Sequence, residues 1–154
     1  MKYDFESSVG YWVTIVSLAY RKALNEELAP HGITFRQSQV LGWLVHDGVL
    51  SQSSLAAKME VEAPTLKGLV DRMEAAGWVK RCSCMDDRRK KLIRMTSAAE
   101  PVWQKIADCA RKVRREATAG LNRDETNQLL HLLRTVHNNL ILRSEVPADE
   151  IQIG

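Results

Sequence analysis

Apolar residues recur at helical spacing from the start of the chain. Between Ser7 and about Ala29, a stripe of Val9, Trp12, Val13, Val16, Ala19, Tyr20, Ala23, Leu24 and Leu28 predicts a long helix. Pro30 and Gly32 end it. Thr34 with Gln37 forms a capping box that opens a second helix through Val40, Leu41, Leu44 and Val45, which stops at Gly48. Ser51 caps a short third helix, with Leu55, Ala56 and Met59 facing inward. After a tight turn, Pro64 sits near the first position of a fourth helix, where its missing N–H costs little. Leu66, Leu69, Val70 and Met73 share one face of that helix, and Gly77 terminates it. Two strands follow, Trp78 to about Cys82 and Lys91 to Met95. Ser97 with Glu100 suggests another capping box, although Pro101 blurs where the helix begins. Val102, Ile106, Cys109 and Val113 then alternate spacings of four and three, a coiled-coil-like seam. Gly120 breaks the chain. Asn122 with Glu125 restarts it in a last helix carrying Leu129, Leu133, Val136 and Leu140, and the final residues are expected to fray.

The fold class this order predicts is mainly α with a small β-hairpin wing: a winged helix-turn-helix between long terminal dimerisation helices. Residues 34–96 would form the DNA-binding region, 1–33 and 97–143 the dimerisation helices, and 144–154 a tail. The terminal helices have apolar stripes and little core of their own. Two copies clasping through them would bury those stripes, so a homodimer is expected.

Charge sharpens this picture. The chain has 154 residues, 45% hydrophobic and 27% charged, ordinary values for a soluble domain with a real core. A net charge of +3 says little alone, but its distribution says more. Between Trp78 and Thr96 stand Lys80, Arg81, Arg88, Arg89, Lys90, Lys91 and Arg94 against only Asp86 and Asp87. A helix followed by a cationic hairpin suits a major groove and the adjacent DNA backbone. Thr65 and Lys67, in the first turns of the fourth helix beside Pro64 and Gly68, are candidate base readers, and Arg72 is a candidate phosphate contact. Arg89 is the candidate for minor-groove insertion, where phosphate potential is most negative, within the basic run Arg88, Arg89, Lys90, Lys91. Asp87 would orient the Arg89 guanidinium by a charge-assisted bond.

The residues DDRRKKLIRMT, with the segment PTLKGLVDRMEAAGWV before them, closely resemble the MarR family of transcription regulators. The SlyA branch is the nearest match, on Asp87-Arg88-Arg89, Met95-Thr96 and Ala99-Glu100-Pro101. The resemblance covers about residues 8–143. It implies a dimeric winged-helix repressor or activator of pseudo-palindromic promoter DNA, released by a small aromatic acid or by cysteine oxidation. It also implies a recognition helix over about Ala63 to Ala76, with Arg89 as the wing arginine and Asp87 as the wing acid. There is one departure: Gly68 stands where many relatives carry an arginine, so Lys67 is the only cation in those first turns.

Other chemistry is sparse. There is no phosphate-cradling glycine loop, metal-ligand spacing or nucleophile elbow, and His31, His46, His131 and His137 are scattered. The sequence therefore predicts neither an enzyme nor a cofactor nor a metal site. Cys82 and Cys84 sit among cations that favour a thiolate, and their oxidation is an alternative switch. Alternate residues of one strand lie about 7 Å apart, too far for an unstrained disulfide between them. Cys109, on the apolar seam, reads as core. An effector pocket would lie where the dimer helices meet the DNA-binding part, lined by Trp12, Val16, Tyr20, Leu41 or Trp43, which are equally good core residues. No apolar run approaches the roughly 18 residues of a membrane span, and no signal-type segment opens the chain, so a cytoplasmic location is expected. A winged helix used only for protein contact would lack such a basic wing.

Overall fold

Local signals fix most of the helix ends in the computed structural model, which describes residues 4–83 and 91–145. Helix α1 spans Val9–Leu28, with the Ser8 side chain accepting from the Tyr11 N–H. It passes into a single 3-10 turn, Ala29–His31, and Gly32 closes that turn in the left-handed region at φ 66°. Helix α2, Phe35–Asp47, opens on the expected capping box: the Thr34 hydroxyl accepts from the Gln37 N–H while the Gln37 side chain accepts from the Thr34 N–H. Ser51 caps α3, Gln52–Lys58, as its sequence predicts. Helix α4, Ala63–Ala75, carries Pro64 in its first turn.

The sheet is larger than the hairpin read from sequence. Leu50–Ser51 forms a two-residue strand β1, and β2 (Val79–Ser83) and β3 (Lys91–Met95) complete an antiparallel sheet in the order β1-β3-β2. Leu50 pairs with Ile93 and Val79 with Met95. Ile93 and Val79 turn into the core, whereas Lys80 and Arg94 stay exposed. This is the period-two alternation of a half-buried sheet.

The second correction concerns Ser97. Residues Ser97–Ala99 form a 3-10 turn whose preceding Thr96 makes no side-chain cap. The Thr96 hydroxyl instead donates to the carbonyls of Gly77 and Trp78, tying the end of β3 to the end of α4. Helix α5, Glu100–Ala117, begins only after this turn.

The core of the unit that ends at Arg114 gathers Leu24 and Leu28 of α1, Val40, Leu41 and Leu44 of α2, and Leu55 of α3. Leu66, Leu69, Val70 and Met73 of α4, Val79 and Ile93 of the sheet, and Ile106, Cys109 and Val113 of α5 complete it. The α5 seam is therefore turned inward against its own chain. Polar ties accompany the packing: the Cys109 thiol donates to the Glu27 carbonyl at 3.4 Å and the Lys112 ammonium meets the Glu27 carboxylate at 2.6 Å. At the other end of α2, Lys58 pairs with Asp47 at 2.9 Å and lies 4.7 Å from the Trp43 ring centre, which fixes α3 on α2.

The second unit, from Arg115, contains α6, Arg123–Glu145. Its start is the predicted one. The Asn122 side chain accepts from the N–H groups of Asp124 and Glu125, and Glu125 accepts in return from the Asn122 N–H. Leu129, Leu133 and Leu140 on this helix are exposed.

Candidate nucleic-acid interface

Burial decides which face of α4 is available. Leu66, Leu69, Val70 and Met73 lock the helix to the core, and Pro64, Thr65, Lys67 and Arg72 are exposed, as the pattern requires. Gly68 lies between Thr65 and Arg72 on the helix surface and is half-buried. The anchoring matters because a recognition helix can hold its register only if the opposite face is immobile. Truncating Leu66 would cost about 2–5 kcal/mol.

The two flanks of α4 differ in charge. On the flank toward β2, Arg81 binds two acids: its Nη2 is 2.7 Å from Asp71 and its Nη1 is 2.7 Å from Glu74. Its backbone N–H also donates to Glu74 at 2.8 Å, and Nη2 reaches the Lys67 carbonyl at 3.4 Å. Lys67 meets Asp71 at 3.3 Å. The Arg81 backbone N–H, and then its guanidinium, hold the Glu74 carboxylate below its ordinary range. For Asp71, desolvation is the largest single influence and pushes upward, but the bonds from Lys67 and Arg81 together outweigh it, and its pKa is lowered too. Both acids therefore stay ionised and matched, so they do not present uncompensated negative charge to a polyanion. Arg81 counts toward the basic wing by sequence, but the structure commits it to joining β2 to the helix.

On the outer face of the sheet, Lys80 and Arg94 form no ion pair among the described residues. These two are direct cross-strand partners, both exposed, while Lys91, on the face of Ile93, is exposed at the start of β3. Like charges directly opposite on neighbouring strands repel, which suits a surface that meets phosphate. Sequence reading counted these two cations without singling them out as a pair. The alternation of the strands was the signal that could have done so. Asp87, Arg88, Arg89, Lys90 and Cys84 lie outside the described residues.

The remaining candidates differ in burial. Cys82 is half-buried on β2, with Sγ 3.7 Å from the Leu92 carbonyl. Burial, and then the Glu27 and Asp108 charges, raise the Cys109 thiol pKa and keep it protonated. Leu41 is sealed in the core and Trp43 is half-buried beside Lys58. Trp12, Val16 and Tyr20 are exposed on α1, and the Trp12 indole N–H donates to the Glu6 carbonyl at 2.8 Å. Among the described residues no group of three or more His, Cys, Asp or Glu side chains is placed to hold a metal ion. Nor is any helix among them long and apolar enough to cross a membrane.

Residues 31–90, which contain α2 to α4 and β2, match the MarR family model. MarR from Escherichia coli in its apo form is 26% identical, with a TM-score of 0.76 over 84% of this chain and 96% of that one. The chain is similar to the MarR family in sequence over those residues and in fold over most of its length. A cysteine-to-serine mutant of E. coli MarR complexed with operator DNA is likewise 26% identical, with a TM-score of 0.72 over 83% and 92% of the two chains. BpsR of Bordetella bronchiseptica, whose DNA binding is regulated by 6-hydroxynicotinic acid, shares the fold at 21% identity, with a TM-score of 0.75 over 89% and 98%.

Proposed function

We propose that this chain is a MarR-family transcription regulator of the SlyA-like branch, which binds pseudo-palindromic promoter DNA as a homodimer in the cytoplasm and catalyses no reaction. The observation that carries the reading is α4: one face buried in the core, the other exposing Thr65, Lys67 and Arg72 beside a sheet whose outer face bears Lys80 and Arg94. A helix held this way enters a major groove by its first turns, and cations of the adjacent strands meet the phosphates flanking it. The basic segment Arg88 to Lys91 would extend that contact, with Arg89 in the minor groove oriented by Asp87. E. coli MarR, solved with operator DNA, supports the same use of the fold.

The exposed stripes of α1 and α6 support the dimer, since they are apolar surface of the kind that a second copy would cover. A two-fold dimer would place two α4 helices on successive major grooves, about one helical turn apart. Release by a small aromatic acid fits the aromatic residues Trp12 and Tyr20 on α1, with Val16 between them and Leu41 and Trp43 on α2. The ligand of BpsR is of that chemical class. Differential affinity of such a ligand for a dimer with another helix spacing would shift DNA occupancy. Oxidation of Cys82 with Cys84 is an alternative switch, but the neighbouring Arg81 is engaged by the Asp71 and Glu74 carboxylates.

Fluorescence anisotropy against the chain's own upstream DNA and a scrambled duplex, across a salt series, tests the reading. Preference of roughly a thousandfold for the upstream duplex, with affinity falling steeply in salt, is expected. Absence of binding at low salt overturns it.

A further inference from the structure

The helix that would read DNA carries two cations, and the fold treats them differently. Lys67 is held by Asp71 on the flank that faces β2. Arg72 lies on the other flank with Thr65, is exposed, and makes no ion pair or hydrogen bond through its side chain among the described residues. Its direction is set by its neighbour: a Cβ built at Gly68 would meet Arg72 Nη1 at 3.7 Å, with nothing else within 4 Å. The guanidinium thus runs back along the helix by one turn and lies over the bare backbone of Gly68. It reaches the surface position that a side chain at 68 would fill, nearer the end of the helix that enters a groove first.

We infer that Arg72 is a specificity-determining residue, whose guanidinium, folded over Gly68, reads a guanine in the major groove. This rests on the DNA-binding reading above and changes the role of Arg72 from phosphate contact to base reader. The chemistry fits. A planar guanidinium with two free parallel N–H donors matches the O6 and N7 acceptors of guanine, whereas an ammonium supplies a point charge without that fork. A helix position without a side chain lets the group lie flat against the backbone. Lys67, already paired with Asp71 and lacking the planar fork, is the weaker reader. The flank near β2 is already neutralised by Arg81, so the unmatched positive charge on α4 is concentrated at Arg72.

The test is selection of a random duplex library by the full-length protein, followed by binding of single-base-substituted duplexes to wild type, Arg72→Lys and Arg72→Ala across a salt series. The expected result is an enriched G·C pair in each half-site whose replacement costs wild type about tenfold or more. Arg72→Lys should lose that discrimination while keeping the salt dependence, because its charge is retained. Gly68→Leu, which fills the space over the helix, should lose it with Arg72 intact. If Arg72 touches only phosphate, Arg72→Ala weakens all duplexes alike and lowers the salt slope by about one, while Arg72→Lys discriminates as wild type does, and the inference fails alone. A wild-type protein that enriches no sequence overturns the regulator reading and this inference together.

Discussion

Helices α5 and α6 carry the same kind of apolar stripe and meet different fates. Ile106, Cys109 and Val113 of α5 are at most 5% exposed, packed in the core with α1 and α2, whereas Leu133 and Leu140 of α6 are 47% and 60% exposed. The first half of α1 resembles α6, with Trp12, Val13 and Val16 exposed, while Leu24 and Leu28 at its end are buried. Periodicity shows that a stripe exists but not what covers it. One stripe belongs to the chain's own stability, and the others are left exposed, as the proposed dimer requires.

The largest expected effect separates these two classes. Ile106→Ala should lower unfolding free energy by about 2–5 kcal/mol, the range for truncating a buried Ile, and by the same amount at every protein concentration. Leu133→Ala should behave otherwise. Its loss should appear mainly in association, so wild-type Tm rises with protein concentration and the mutant's deficit is greatest in dilute solution. Thermal melts over a hundredfold concentration range, paired with light scattering, would check both. A Leu133→Ala deficit independent of concentration would put α6 in the same class as α5.

What the sequence disclosed follows the range of the interaction. The boxes Thr34–Gln37 and Asn122–Glu125 were legible because both partners lie within one turn. The inward faces of α2, α3 and α4 were legible for the same reason, since a continuous period marks them. Ser97 and Glu100 have the same spacing, but the Thr96 hydroxyl is drawn to carbonyls at Gly77 and Trp78, distant in sequence, and a 3-10 turn results. Strand β1 has only two residues, and its pairing with β3 is non-local. Glu60, at φ 50°, bends the turn before α4 in a left-handed conformation that no glycine or asparagine announced. In the candidate site, the exposed cations of α4 were legible, but the partner of Arg81 was not: free and paired arginines look alike until the fold brings Asp71 and Glu74 beside one of them.

That pairing gives the intermediate effect. Asp71 and Glu74 have lowered folded pKa values, so the clamp stabilises the protein fully above the ordinary carboxylate range, about pH 4, and is lost as pH falls through the lowered values. Arg81→Gln should therefore reduce stability at pH 7 and narrow the difference between neutral and acidic solution. Urea melts at pH 7 and pH 3.5 would show this, with salt weakening the wild-type advantage because the carboxylates are partly exposed. An unchanged acid dependence would mean that the clamp holds geometry without contributing stability. The mutant should also bind DNA less well at pH 7, since Glu74 would then face phosphate without its counter-charge and Asp71 would keep only Lys67.

The smallest effect concerns the one place where α4 gives up intrinsic stability on its exposed side. Gly68 lies in the helix interior without a positive φ, so its freedom is not required by the backbone there. Glycine at such a position costs roughly 0.5–1 kcal/mol relative to alanine. A Cβ at Gly68 would sit 3.7 Å from Arg72 Nη1, an ordinary contact that leaves the guanidinium where it is. Gly68→Ala should therefore raise unfolding free energy by up to about 1 kcal/mol and leave sequence discrimination intact, measured by urea melts and by the same substituted duplexes. If alanine stabilises the helix but abolishes discrimination, then the DNA backbone or a base edge itself needs the bare Gly68 surface, and close approach rather than the path of Arg72 explains the glycine. Stability and reading that both survive would show that this flank of α4 has space to spare, in contrast to the clamped flank, where Asp71, Glu74, Lys67 and Arg81 already occupy one another.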